Sequence, residues 1–190
     1  MMKILFVIPS MRIGGAEKSL VNLLNLMDLN EYDVSLLLFK PEGDFLQQIP
    51  SGVHILETDP SLFYAYKLDK KVFSCKRAIR SAILRIFSTG VCKILYGNHA
   101  RQRRWIKFYK PILPKQKGEY DVAVGYLEGD ASYYVIDKVN AKRKILWVHS
   151  NFDNIKKNEE ASVYREYFCK ADKVVSISDK CCLLYTSDAA

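Results

Sequence analysis

The 190-residue chain has no apolar run approaching the roughly 20 residues that cross a bilayer, which argues against a membrane-spanning helix. An export leader is not expected either, and the start reads as a first strand. Met1-Met2-Lys3 and the apolar residues Ile4 to Ile8 run into Pro9 and Gly14-Gly15 without a small-residue cleavage site. Among Cys75, Cys92, Cys169, Cys181 and Cys182 there is no CxxC pair and no Cys/His spacing suited to zinc, so no metal site or other cofactor is expected. An odd cysteine count without an export signal fits free thiols packed as small hydrophobes in a reducing cytosol. The dinucleotide fingerprint GxGxxG is missing, and Glu17-Lys18-Ser19 lacks the glycine that precedes the lysine of a Walker A loop. No recognised RNA or DNA module occurs, which puts nucleic acid last among candidate partners.

What is present is a rhythm of short apolar runs. Lys3–Pro9 is a continuous run rich in Ile and Val, as expected of a strand buried on both faces. Leu20, Val21, Leu23, Leu24 and Met27 then recur with helical period from Ala16 to Leu29. Further strands are expected at Asp33–Phe39, Val53–Glu57, Tyr120–Tyr126, Lys144–His149 and Lys173–Ser178. Six strands alternating with helices predict an α/β domain, a doubly wound Rossmann-like parallel sheet. In such a sheet, ligands bind outside the carboxyl ends of the strands. That rule singles out the loops Ser10–Gly15, Leu127–Asp130 and Ser150–Asp153.

The charge is unevenly spread. Residues 66–117 hold fifteen Lys or Arg and one acid, Asp69; this segment carries +14, and the remainder, by difference from the net +8, carries −6. The sequence reads as one domain over 1–180 with a basic helical insertion at about 61–117. Val72, Cys75, Ile79, Ala82, Ile83 and Ile86 share a helical face there, while Arg77, Arg80 and Arg85 fall elsewhere on the wheel and Arg101, Arg103 and Arg104 form a second cluster. The sheet's other helices are expected to cover both its faces, leaving this stripe for another surface. Three readings are ranked: an anionic membrane or lipid-pyrophosphate acceptor, a solvated surface, and nucleic acid. After Lys180 no helical period or cap is visible, and residues 181–190 read as a truncated or unrelated tail.

The loop Ser10–Gly15 leads into a helix whose free N–H groups suit a phosphate, while a tight turn that merely needs glycine is the alternative. Glu128, Asp130 and Asp153 stand on favoured loops and could position a hydroxyl, although Asp130 before Ala131-Ser132 also reads as an N-cap. His149 ends a strand. His54, on an interior strand, and His99, in the basic insertion, are given no catalytic role.

Lys-Ile-Leu-Phe-Val-Ile-Pro followed by Gly14-Gly15-Ala16-Glu17 resembles the amino terminus of family 4 glycosyltransferases, which have the GT-B fold. Tyr120-Asp121-Val122-Ala123-Val124, Trp147-Val148-His149-Ser150-Asn151 and Ala171-Asp172-Lys173-Val174-Val175-Ser176-Ile177-Ser178 are similar to later motifs of that family, in the same order. The resemblance implies the amino-terminal, acceptor-side half of a sugar transferase. It places Gly14 and Gly15 against the donor diphosphate and acceptor, and His149, the catalytic candidate, near the transferred sugar. Ser150, Asn151 and Glu128 are donor- or acceptor-binding candidates. The partners it implies are a nucleotide-sugar donor, gripped mostly by a carboxyl-terminal domain this chain lacks, and a lipid-linked or polysaccharide acceptor. Retention of configuration would let the leaving phosphate take the acceptor's proton, so His149 need only hydrogen-bond. The expected location is cytoplasmic, peripheral on the inner face of the cell membrane. A nucleotide-sugar epimerase of the same two-domain fold and a non-catalytic basic binding module are the rival functions.

Overall fold

The computed structural model describes residues 1–68, 76–149 and 161–176. Val72, Cys75, Ser150, Asn151, Asp153 and the tail from Lys180 lie outside them. Six parallel strands, β1 (Met2–Ile8), β2 (Tyr32–Leu38), β3 (His54–Ile55), β4 (Glu119–Gly125), β5 (Asn140–Val148) and β6 (Lys173–Ser176), form one sheet in the order β3-β2-β1-β4-β5-β6. Each neighbouring pair is parallel, with Ile4 of β1 set between Val34 of β2 and Val122 of β4. The expected α/β Rossmann-like architecture is therefore the one observed. Two details differ. β5 begins at Asn140, because Lys142 finds Asp121 on the neighbouring strand at 2.7 Å and extends the pairing outward. β3 is only two residues long and forms the sheet edge, so His54 is exposed rather than interior.

Alternation along β1 divides the core in two, since successive side chains of a strand point to opposite faces. Ile4, Phe6 and Ile8 join Val34, Leu36 and Leu38 beneath α1 (Gly15–Leu26), whose Leu20, Val21 and Leu24 supply the covering stripe. Leu5 and Val7 join Leu37, Phe39 and Ala123 on the opposite face, under α2 (Pro60–Tyr66) and the residues Trp105, Tyr109 and Leu113. Helices α6 (Asp130–Lys138) and α7 (Ala161–Cys169) complete that side with Tyr133, Tyr134, Val163 and Tyr167.

The basic segment thus covers the core. It is the crossover between β3 and β4, and the expectation that other helices cover both faces fails for a physical reason. A β3-to-β4 connection must cross from one side of the sheet to the other, and its helices land on the uncovered face. After α3 (Lys76–Tyr96) come α4 (Ala100–Arg104), a π-helical turn at Trp105–Tyr109 and the short α5 (Lys110–Ile112). Pro111, with no N–H to give and a ring that crowds the preceding turn, sits just after the π turn. Asp137 of α6 clamps this run. It accepts from Trp105 Nε1 at 2.9 Å and the Tyr167 hydroxyl at 2.6 Å, and pairs with Lys110 Nζ at 3.0 Å. Helix α3 lies outside this layer, against α2 and α4 rather than against the sheet.

Candidate functional site

With β1 and β4 adjacent at the centre, the connections leaving them go to opposite faces of the sheet. The crevice between their carboxyl ends is the switch point where doubly wound sheets bind ligands. Three segments meet there: the β1–α1 loop, the β4–α6 loop and the end of β5.

The β1–α1 loop is held from beneath. Lys40 N–H donates to Pro9 O, Met11 N–H to Glu42 O and Phe45 N–H to Met11 O, at 2.9, 2.9 and 3.1 Å. Gly43 allows this. Its φ of 125° is a left-handed conformation, and a Cβ there would come within 2.1 Å of the Met11 carbonyl. Glu42 gathers Lys67, Arg12 and Lys40 around one carboxylate at 2.6, 2.8 and 3.7 Å, and chiefly the Lys67 hydrogen bond holds its pKa down.

Gly14 and Gly15 are not explained by a turn. Gly14, the N-cap of α1, has φ −171°, an extended conformation open to any residue, and as a glycine it brings no side chain to cap the helix. A Cβ on Gly15 would meet nothing within 4 Å; the nearest atoms to one on Gly14 would be those of the Glu17 carboxylate, with Oε2 2.2 Å away. The tight-turn alternative therefore loses its support, and what the glycines leave is open space over the first turn of α1. The Glu17 carboxylate is folded into that space.

At the end of β5, His149 donates its backbone N–H to Glu128 Oε2 at 3.0 Å, joining the β4 loop to the β5 terminus. Its ring lies 5.0 Å from that of Tyr126 and is nearly parallel to Trp147, 16° between planes at 6.2 Å. The Tyr126 hydroxyl shares a 3.0 Å hydrogen bond with Ser19 Oγ of α1. His149 Nε2 is buried and has no hydrogen-bond partner among the described residues. Burial lowers the imidazole pKa from 6.5, outweighing the opposing pull of Glu128 and Glu17, so the neutral ring predominates at pH 7. The site thus presents a neutral imidazole nitrogen, two carboxylates and a helix terminus with glycine at its N-cap, the carboxylates within electrostatic reach of the imidazole.

The β4–α6 loop is shaped by close packing. A Cβ on Gly125 would fall 2.8 Å from the Ser132 Cα, and Gly129, at φ 83°, caps α6 without a side chain. Asp130 is therefore the first helical residue and not the N-cap read from sequence. Its buried carboxylate and desolvation both hold the Tyr66 hydroxyl protonated, desolvation being the larger effect.

The six arginines assigned to one surface separate. Arg77 reaches Asp59 at 3.4 Å, and Arg80 is exposed. Arg103 lies over the Tyr96 ring at 5.6 Å. Arg104 covers Tyr109 at 5.1 Å and donates to Thr89 Oγ1 at 3.0 Å. Arg85 places Nη1 in the interior, and the Arg101 guanidinium lies against the Gly129 backbone at the crevice. The six arginines thus have different surroundings in the domain. The buried face of α3 carries Ala78, Ser81, Ala82, Ser88 and Cys92, small enough to admit Arg85, which shares their helical phase. Ala82 of the predicted apolar stripe is buried for the same reason.

Tyr126, Trp147, Glu17 and Ser19 were not anticipated as site residues. Tyr126 and Trp147 could have been found by extending the strand alternation to the ends of β4 and β5, and Glu17 by stepping three residues from Gly14 along one helix face. A cavity of about 440 Å3 bordered by Thr58, Asp59, Arg77, Lys115, Lys117 and Tyr134 takes in none of the crevice residues. Among the described residues, no group of His, Cys, Asp and Glu is arranged to hold a metal ion, and no helix is long and apolar enough to cross a membrane. Comparison with protein-family models, with curated proteins and with solved structures gave no match.

Proposed function

We propose that this domain is the acceptor-side half of a glycosyltransferase. It would move a sugar from a nucleotide-sugar donor to a lipid-linked or surface-polysaccharide acceptor, with retention of configuration. The observation that carries the reading is the buried Nε2 of His149, without a hydrogen-bond partner among the described residues and within electrostatic reach of Glu17 in the first turn of α1, whose N-cap is a glycine. A neutral imidazole can donate to a phosphate oxygen or accept from a sugar hydroxyl. The α1 terminus adds free N–H groups and the positive end of a helix dipole, which suit the donor's diphosphate. Glu17 occupies that space and must swing out when a phosphate enters. No base is required, because in retaining transfer the departing phosphate accepts the proton of the attacking hydroxyl. Glu128 holds the β5 terminus through the His149 amide and so fixes where the imidazole stands.

The test supplies radiolabelled nucleotide sugars and a lipid extract to this chain extended through its gene's downstream coding sequence. Label should appear in the lipid or polysaccharide fraction. His149→Ala should lower the rate about 100-fold, the scale of losing one transition-state hydrogen bond, and residues 1–190 alone should give no transfer. Inversion of the sugar in the nucleotide pool without transfer would identify an epimerase instead. Turnover by residues 1–190 alone would refute the half-enzyme reading.

A further inference from the structure

Helix α3 wears its large apolar residues on the outside. Ile83 is 61% exposed, Ile86 63%, Phe87 60% and Ile94 84%. At about 100° per residue, Ile83, Phe87 and Ile94 fall within about 40° of one another, with Ile86 on one flank. The cause is packing on other helices. The inner face of α3 meets α2 and α4 through small residues, so nothing of the sheet is left for the large ones to cover. Phe87 meets Phe108 edge to face at 6.1 Å, which extends the apolar ridge onto the π-helical turn. A contiguous apolar ridge on an otherwise charged surface marks an interaction site.

We propose that this outer face of α3 docks on an anionic lipid bilayer. Lys76, Arg80 and Lys93 share the ridge's side of the helix and are exposed, and no acid occurs between residues 70 and 117. A straight apolar ridge between cations matches a planar surface. The ridge sinks below the headgroups while the Lys and Arg stems snorkel to the phosphates. A helix too polar overall to cross the membrane lies in its plane. A protein partner would have to place carboxylates on both sides of an apolar groove, whereas an anionic bilayer offers both features everywhere on its surface. The docking face is not the arginine cluster at 101–104, whose members turn toward Gly129, Tyr96 and Tyr109. The inference does not depend on the transferase reading.

The test is co-sedimentation of the full chain with phosphatidylcholine vesicles and with vesicles that also contain phosphatidylglycerol. Binding should require phosphatidylglycerol and fall steeply with salt. The triple change Lys76→Gln, Arg80→Gln, Lys93→Gln should weaken it on the order of 100-fold, from about 1 kcal/mol per cation. Ile83→Gln, Phe87→Gln, Ile94→Gln should abolish the binding that persists at high salt. All six residues are exposed, so circular dichroism and the melting midpoint should stay unchanged in both variants. Equal binding to the two vesicle types, or no loss in either variant, overturns the proposal. So does self-association without lipid binding that the apolar triple removes, which would make a second copy of the chain the occupant.

Discussion

Helices α1 and α3 have similar apolar content and opposite burial. α1 rests on the sheet, and its Leu20, Val21 and Leu24 are buried while Asn22 and Asn25 face solvent. α3 rests on helices and buries Ala78, Ser81, Ala82, Ser88 and Cys92, turning Ile83, Phe87 and Ile94 outward. The difference lies in the partner surface. A flat sheet accepts bulky side chains, whereas helices approaching at close range are served by small ones. An apolar stripe therefore reports burial only if the helix is in the first layer over the sheet.

The largest expected effect tests this contrast directly. Leu20→Ala should cost about 3 kcal/mol in urea denaturation, the transfer and cavity cost of a fully buried leucine, while Ile83→Ala should stay within about 0.5 kcal/mol. A comparable loss at both positions would mean that α3 is covered by the domain itself. A smaller effect separates the two helices by their glycines. Gly90 sits inside α3 with nothing within 4 Å of a Cβ, and Gly90→Ala should stabilise by about 1 kcal/mol. Gly15→Ala, at the start of α1, should stabilise by about 0.5 kcal/mol, yet weaken binding of inorganic pyrophosphate in calorimetry. If Gly15→Ala leaves pyrophosphate binding intact, the open space over α1 is not a ligand site.

The smallest effect is a slope. Burial keeps the folded-state pKa of His149 below the ordinary 6.5, so the unfolded chain binds that proton more readily. Its contribution to stability is present above about pH 6.5 and is lost as pH falls from there through the lower folded value. His149→Gln should flatten this part of the stability profile. An unchanged profile would place the imidazole in water, away from the α1 crevice.

Much of the fold was legible because both signals behind it are local. Apolar runs such as Ile4 to Ile8 and the period of Leu20 to Leu24 arise from neighbours in sequence, and strand–helix alternation confines the sheet to parallel topologies. The crevice was half legible. Gly14, Gly15, Glu128 and His149 were singled out because they follow strand ends, and the structure joins Glu128 to His149 and sets Glu17 over Gly14. Strand alternation carried to the ends of β4 and β5 reaches Tyr126 and Trp147, but the contact of Tyr126 with Ser19 depends on how β4 and α1 are spaced.

By itself the sequence determined the six strands, their parallel sense, the edge on which the crevice lies and the concentration of positive charge in residues 66–117. These follow from side-chain period and composition, which need no long-range contact. Only the tertiary structure decided which positive charges reach solvent. Arg85 turns inward because α3 is a second layer packed through small residues, and Lys76, Arg80 and Lys93 stay outside beside Ile83, Phe87 and Ile94. The same helix thus carries small residues and Arg85 on its inner side and an apolar, cationic ridge on the other. The direction each side chain takes is set by the layer its helix packs against, which no periodicity encodes.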